Sequence, residues 1–224
     1  MHPSDEKAQM NYAEFVQTTF AYAHKSFSLD PFQSIDGDHT TAVTQYRELG
    51  GAYQTQLDEL CLRADKLHVG LAIAGEILEL TNEIDQWFGH GEQQKCPYLQ
   101  ASQKEIGDLC YYIQMLFNLY GFDVNIPDIL PVEEAAPNRL AVTKYGETLV
   151  DYIKRVEVYG QVYDSIALHE HILNFLEALM SLCPMLSTTQ QDIVGQNILK
   201  LQTRYASGSF STQESQAKAD SKSE

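Results

Sequence analysis

LHVGLAIAGEILELTNEIDQWF, residues 67–88, and SQKEIGDLCYYIQMLFNLYG, residues 102–121, decide the fold. Both runs are apolar nearly all round, which predicts two buried helices. Each carries two acids three residues apart, Glu76 and Glu79 in the first, Glu105 and Asp108 in the second. Residues at i and i+3 share a helical face, so each pair aims both carboxylates the same way. A lone ExxE is commonly a solvated face. Two pairs inside apolar runs are different, because a buried carboxylate is costly unless a cation or donors compensate it. Four acids converging from two packed helices suit a hard, oxygen-seeking cation such as Mg²⁺. Gly75 and Gly107 precede Glu76 and Asp108. A glycine inside a helix costs about 1 kcal/mol, so each is expected where a backbone or ligand comes close.

The spacing, ExxE, then 25 residues, then ExxD, resembles the metal signature of the all-α nucleoside triphosphate pyrophosphohydrolases, the MazG-like branch in particular. GLAIAGEILEL (70–80) is similar to that family's GLxGExGEL block, and EIGDLCYYIQMLFNLYG (105–121) to its second acidic block. NILKLQTRY (197–205), followed by Gly208 and Phe210, is similar to its NhxKLxxRY ending. The resemblance covers about half the chain, with weaker support at Tyr12–Thr19. It implies a fold and a chemistry. The fold is an all-α helical bundle with a four-helix core, here with an inserted helical pair before the last helix. The chemistry is Mg²⁺-dependent hydrolysis of a (d)NTP to the monophosphate and pyrophosphate, with Mn²⁺ able to substitute.

Composition bounds the rest of the reading. The chain has 224 residues, 44% of them apolar, enough for one good core. No run has the length of a membrane span, and MHPSDEKAQM lacks a signal-peptide pattern, so a cytoplasmic protein is expected, in the host cytoplasm for a phage-encoded member. The four cysteines lack CxxC spacing, which suits reduced thiols. A net charge of −16 argues against binding a nucleic-acid polymer. It leaves room for a nucleotide held through divalent cations.

Along the chain, a first helix is expected over Asn11–Phe27 and a loop over Ser28–Gly37. A polar helix follows from Thr40 to about Ala64, broken or bent at Gly50-Gly51. Gly89–Pro97 reads as a mobile connection, and Asp123–Asn138, with three prolines, as a non-helical crossing. Leu140–Tyr159 and Ile166–Leu182 read as the inserted pair. The last helix is expected from Ser187 or Thr188 to about Tyr205, with Thr188–Gln191 as a capping box. The whole forms one domain over 1–206, elaborated at about 139–186, with a disordered polar tail at 207–224.

By this reading Glu76, Glu79, Glu105 and Asp108 hold two or three Mg²⁺ ions. One of them, or Glu83, takes the proton of the attacking water. Asn197, Lys200 and Arg204 share a face of the last helix and, matching the family's ending, are phosphate contacts; a basic helix C-terminus is the plainer alternative. Tyr112 either reaches a phosphate or belongs to the core, and Trp87 either stacks on a base or belongs to the core. His90 is placed to touch a base or phosphate, while His169 and His171 are ordinary helix residues. Ile84–Gly91 and Ile153–Gly160 echo each other, either by chance similarity between two amphipathic helices, the plainer reading, or because Lys154 and Arg155 in the second copy replace a base missing from the first. A di-iron bundle would need Glu-x-x-His, which neither acid pair supplies. The other rival is a non-catalytic helical module, binding a nucleotide or a protein, with a structural metal site. Resemblance favours a purine deoxynucleotide, dGTP first. It also implies a homodimer or homotetramer with sites near subunit interfaces.

Overall fold

In the computed structural model, which describes residues 40–91, 96–129 and 138–204, every regular element is a helix. In chain order these are α1 (Thr40–Gly89), α2 (Pro97–Leu119), α3 (Ile126–Ile129), α4 (Arg139–Glu157), α5 (Ser165–Met180) and α6 (Gln190–Arg204). The expected N-terminal helix and loop and the tail after residue 206 lie outside the described residues.

The first correction concerns α1. It runs unbroken for 50 residues through Gly50-Gly51, where a break or bend was expected. The two glycines together cost about 2 kcal/mol of helix propensity, but no proline removes a backbone donor, and Leu49, Ala52 and Gln54 beside them are good helix formers. The inner face of α1 is Val69, Ile73, Ile77, Leu80, Ile84 and Trp87, all buried. Its outer face is a second correction: Leu71 and Leu78 are exposed, so this helix is not buried all round. The second run is. On α2 the buried set runs from Leu99 to Leu119 and takes in every side of the helix.

α1 packs on α2 and α4, α4 packs on α5, and α2 is flanked by α5 and α6. The pair α4–α5, expected as an elaboration, therefore supplies part of the core itself, through Leu149, Ile153, Phe175 and Leu176. Gly146 on α4 faces Ile77, where an added Cβ would overlap the Ile77 Cδ1.

Short polar devices fix the connections. Buried Gln114 accepts from Ile126 N at 2.9 Å and donates to Val124 O at 2.8 Å, pinning the chain after α2 and shaping the single turn of α3. That turn, Ile126–Ile129, is helix where only a crossing was expected. Asn138 caps α4 through Ala141 N, and Asp164 caps α5 through Ile166 N and Ala167 N. The α6 cap is Thr189, whose Oγ1 accepts from Asp192 N at 3.1 Å. It stands one residue beyond the expected Thr188, because Asp192 rather than Gln191 meets the cap. The internal echo has a structural counterpart: Ile84 and Ile153 are buried, and Gly91 and Gly160 both have positive φ, at 72° and 70°. Each glycine ends its helix in the left-handed conformation that a side chain disfavours. The four cysteines are free thiols. No helix among the described residues is long and apolar enough to cross a membrane.

Candidate functional site

The site is made where α1, α2 and α6 meet. The inner face of α1 turns Glu76 toward α2, whose own acids, Glu105 and Asp108, lie on the flank that α6 covers. One oxygen from each of Glu76, Glu105 and Asp108 falls within 4.8 Å of the others. Glu79, the fourth expected acid, is not among them; it is exposed one turn further along α1. Glu83 is half-buried beyond it.

Gly107 makes the α2–α6 approach possible. A Cβ at this position would lie 3.1 Å from Asn197 Cβ, so the missing side chain lets α6 sit against α2. Gly75 differs: nothing lies within 4 Å of its would-be Cβ. The close approach expected of both glycines therefore occurs at Gly107 alone. Gly107→Val should push α6 outward and cost about 1–3 kcal/mol by overpacking. Urea unfolding would read this, with no loss of stability contradicting the close contact.

From α6, Asn197 Nδ2 donates to Asp108 Oδ1 at 2.9 Å, and Lys200 Nζ bonds both Asp108 oxygens. Lys104 Nζ lies 2.7 Å from Glu105 Oε1 and 3.7 Å from Asp108 Oδ2. Sequence reasoning missed Lys104 as part of the site, although its i, i+4 spacing to Asp108 was the available signal. Arg204 is in α6, and its side chain lies outside the described residues.

Two observations separate this cluster from a solvated acidic face. Glu105 is only 4% exposed, and its Oε2 has no hydrogen-bond donor among the described residues. An orphaned carboxylate oxygen at that depth is costly. The second is the Glu76 carboxyl, raised from its ordinary 4.5 to about 8. Burial is the largest cause, followed by a hydrogen bond with Glu105 and the charges of Asp108, Glu105 and Glu79. Near neutral pH Glu76 therefore tends to keep a proton. Burial alone would lower Lys104, but the hydrogen bond to Glu105 and the charges of Glu105, Asp108 and Glu76 outweigh it and hold it charged. The residues fit a divalent cation: three carboxylates of the right chemistry, with one buried oxygen lacking a donor among the described residues. A cavity of about 280 Å³ adjoins Asp108 between α2 and α6, lined by Lys104, Gly107, Ile193, Gln196, Asn197 and Lys200.

The other expected residues fall outside this centre. Trp87 is 5% exposed, its ring against Phe88, so it belongs to the core. Tyr112 is half-buried against the core, edge-on to Tyr111. His90 is exposed, bonded to Gln86 O and tilted on Tyr98. His169 packs on Phe117 and Phe122, and His171 on Tyr152, as ordinary helix residues do. Lys154 and Arg155 pair with Asp151 at 2.6 and 2.9 Å on the same exposed turn of α4. They do not supply the acids with positive charge, because their own helix holds a nearer carboxylate.

Compared with protein-family models, curated proteins and solved structures, the chain matches none.

Proposed function

We propose that the chain is a MazG-like nucleoside triphosphate pyrophosphohydrolase, acting in the cytoplasm as a homodimer or homotetramer. Its substrate is a (d)NTP, with a purine deoxynucleotide, dGTP, as the first choice. The observation that carries the reading is the convergence of Glu76, Glu105 and Asp108 around a buried carboxylate oxygen with no donor among the described residues. Glu76, Glu105 and Asp108 would hold Mg²⁺, or Mn²⁺ in its place, with Glu79 at the margin for a second or third ion. Bound there, the cation supplies charge neutralisation for the phosphates and a lowered pKa for the attacking water.

The chain's own residues do the rest. Lys104, Asn197 and Lys200 line the cavity beside Asp108, so they can pass from the carboxylate to a phosphate oxygen with little movement of α6. Glu76, its carboxyl raised to about 8, is placed to hold a proton at its own oxygen and exchange it. Most of the rate comes from positioning and charge.

A second reading, the non-catalytic module, gains from one observation. Asn197 and Lys200 each bond Asp108 inside the fold, so they have a structural use without any phosphate. Product analysis over the standard NTPs and dNTPs with Mg²⁺ separates the two readings. The hydrolase releases pyrophosphate and a monophosphate, and the ranking of substrates names base and sugar. No turnover of any nucleotide by the folded chain would leave the module.

A further inference from the structure

We propose that Lys104 and Lys200 are built-in counter-cations of the acid cluster, exchanged for a divalent cation and passed to phosphate, so that the two ligands bind cooperatively. The inference rests on Glu76, Glu105 and Asp108 being a metal centre, and adds what the lysines do to it. Lys200 Nζ, from α6, bonds both oxygens of Asp108. Lys104 Nζ, from α2, lies 2.7 Å from Glu105 Oε1 and 3.7 Å from Asp108 Oδ2. Both lysines therefore hold carboxylate oxygens that a cation needs. Two ammonium groups carry the charge of one divalent cation, and like charges crowded on the same oxygens repel. Ion and lysines thus compete for Glu105 and Asp108. The lysines serve the cluster incompletely, since buried Glu105 Oε2 has no donor among the described residues.

The neighbouring cavity sets where the lysines go. Its walls of about 280 Å³ between α2 and α6 carry both lysines, the amides of Gln103, Gln196 and Asn197, and no acid among the described residues. The chain has 31 acids and a net charge of −16. A cavity without a carboxylate, lined by two ammonium groups and three amides, suits an anion of the phosphate kind. Lysine is a point charge on a flexible four-carbon stem, so each ammonium can turn from the acids to the cavity while its helix stays. Other contacts keep α6 in place. Gln103 Nε2 donates to Leu186 O at 2.7 Å just before α6, Asn197 sits against Gly107, and Ile193, Val194 and Leu201 are buried. Phosphate arriving alone has to draw the lysines off the acids and leave those acids uncompensated. With the cation bound, the lysines are already released. Each ligand eases the binding of the other, by the same factor in both directions.

Lysine acetylation of the full chain, mapped by peptide, reads the exchange without nucleotide or turnover. In chelator Lys104 and Lys200 should react slowly. Mg²⁺, compared with NaCl at matched ionic strength, should speed both several-fold and leave the exposed Lys144 unchanged. Orthophosphate should restore their protection in Mg²⁺ and have little effect in chelator; equal protection in both would overturn the coupling. Lys200→Met removes one competitor, so it should bind Mn²⁺ about 10-fold or more tightly than wild type, the scale of a charge-assisted hydrogen bond. If that variant does not fold, Lys104→Met takes its place with the same expected direction. Mn²⁺ or Mg²⁺ bound with both lysines as slow as in chelator, or Mn²⁺ bound no more tightly by the folded variant, overturns the exchange and leaves the metal centre standing. A wild-type chain that binds neither cation overturns both.

Discussion

If the chain is the proposed hydrolase, Glu105→Gln should abolish pyrophosphate release while leaving the chain folded. Glu105 is the most buried of the three convergent acids, and its Oε2 has no donor among the described residues. The substitution removes the charge a cation needs at that oxygen and puts an amide in its place. The loss in kcat should be about 10³-fold or more, the scale expected when charge stabilisation of a transferring phosphoryl group is withdrawn. Stability should change by only about 1 kcal/mol, since the amide oxygen can still accept from Lys104 and a buried charge has been removed. Turnover and urea unfolding are measured on the same preparation. Wild-type turnover by the folded variant would remove Glu105 from the chemistry.

The second large effect is on stability and does not involve turnover. The folded chain raises Glu76 to about 8, whereas the ordinary carboxyl ionises near 4.5. Between those values the folded chain holds a proton that the unfolded chain has released. Stability from Glu76 is thus complete below pH 4.5 and drains away as pH rises toward 8. The loss is on the order of 1–2 kcal/mol, allowing for the solvent that screens this half-buried group. Glu76→Gln has no such proton, so in chelator its urea midpoint should stay level from pH 5 to 8 and exceed the wild type's at pH 8. Equal pH slopes in the two proteins would contradict the account. Mg²⁺ should restore wild-type stability at pH 8 and release a proton on binding near neutral pH.

The α2 helix was legible in full, because apolar residues on every side admit only a buried helix. α1 was half legible. Leu71 and Leu78 counted toward burial in the sequence, but the inner face of Ile73, Ile77, Leu80 and Ile84 fixes the roll of the helix and turns them to water. The same roll separates Glu76 from Glu79. Within an i, i+3 pair the sequence treats the two alike, and only the packing against α2 decides which points inward. The α6 side was legible as a shared face of Asn197 and Lys200, but not its use within the fold, since Asp108 lies 89 residues before Asn197. Lys104 was overlooked beside Glu105, where adjacent opposite charges look like ordinary surface pairing. The place of α4 and α5 in the core followed from no local pattern; it depends on which helix each apolar face meets.

Cation binding itself is the most direct test. Manganese titration followed by electron paramagnetic resonance, on wild type and on Glu105→Gln, counts ions per chain and measures their affinity without requiring a substrate. The account predicts at least one tight Mn²⁺ per wild-type chain, displaced by Mg²⁺, and binding weakened by at least about 10-fold in the variant. Wild-type chains that hold no Mn²⁺, or hold it equally well without Glu105, would contradict the claim that Glu76, Glu105 and Asp108 form a metal centre.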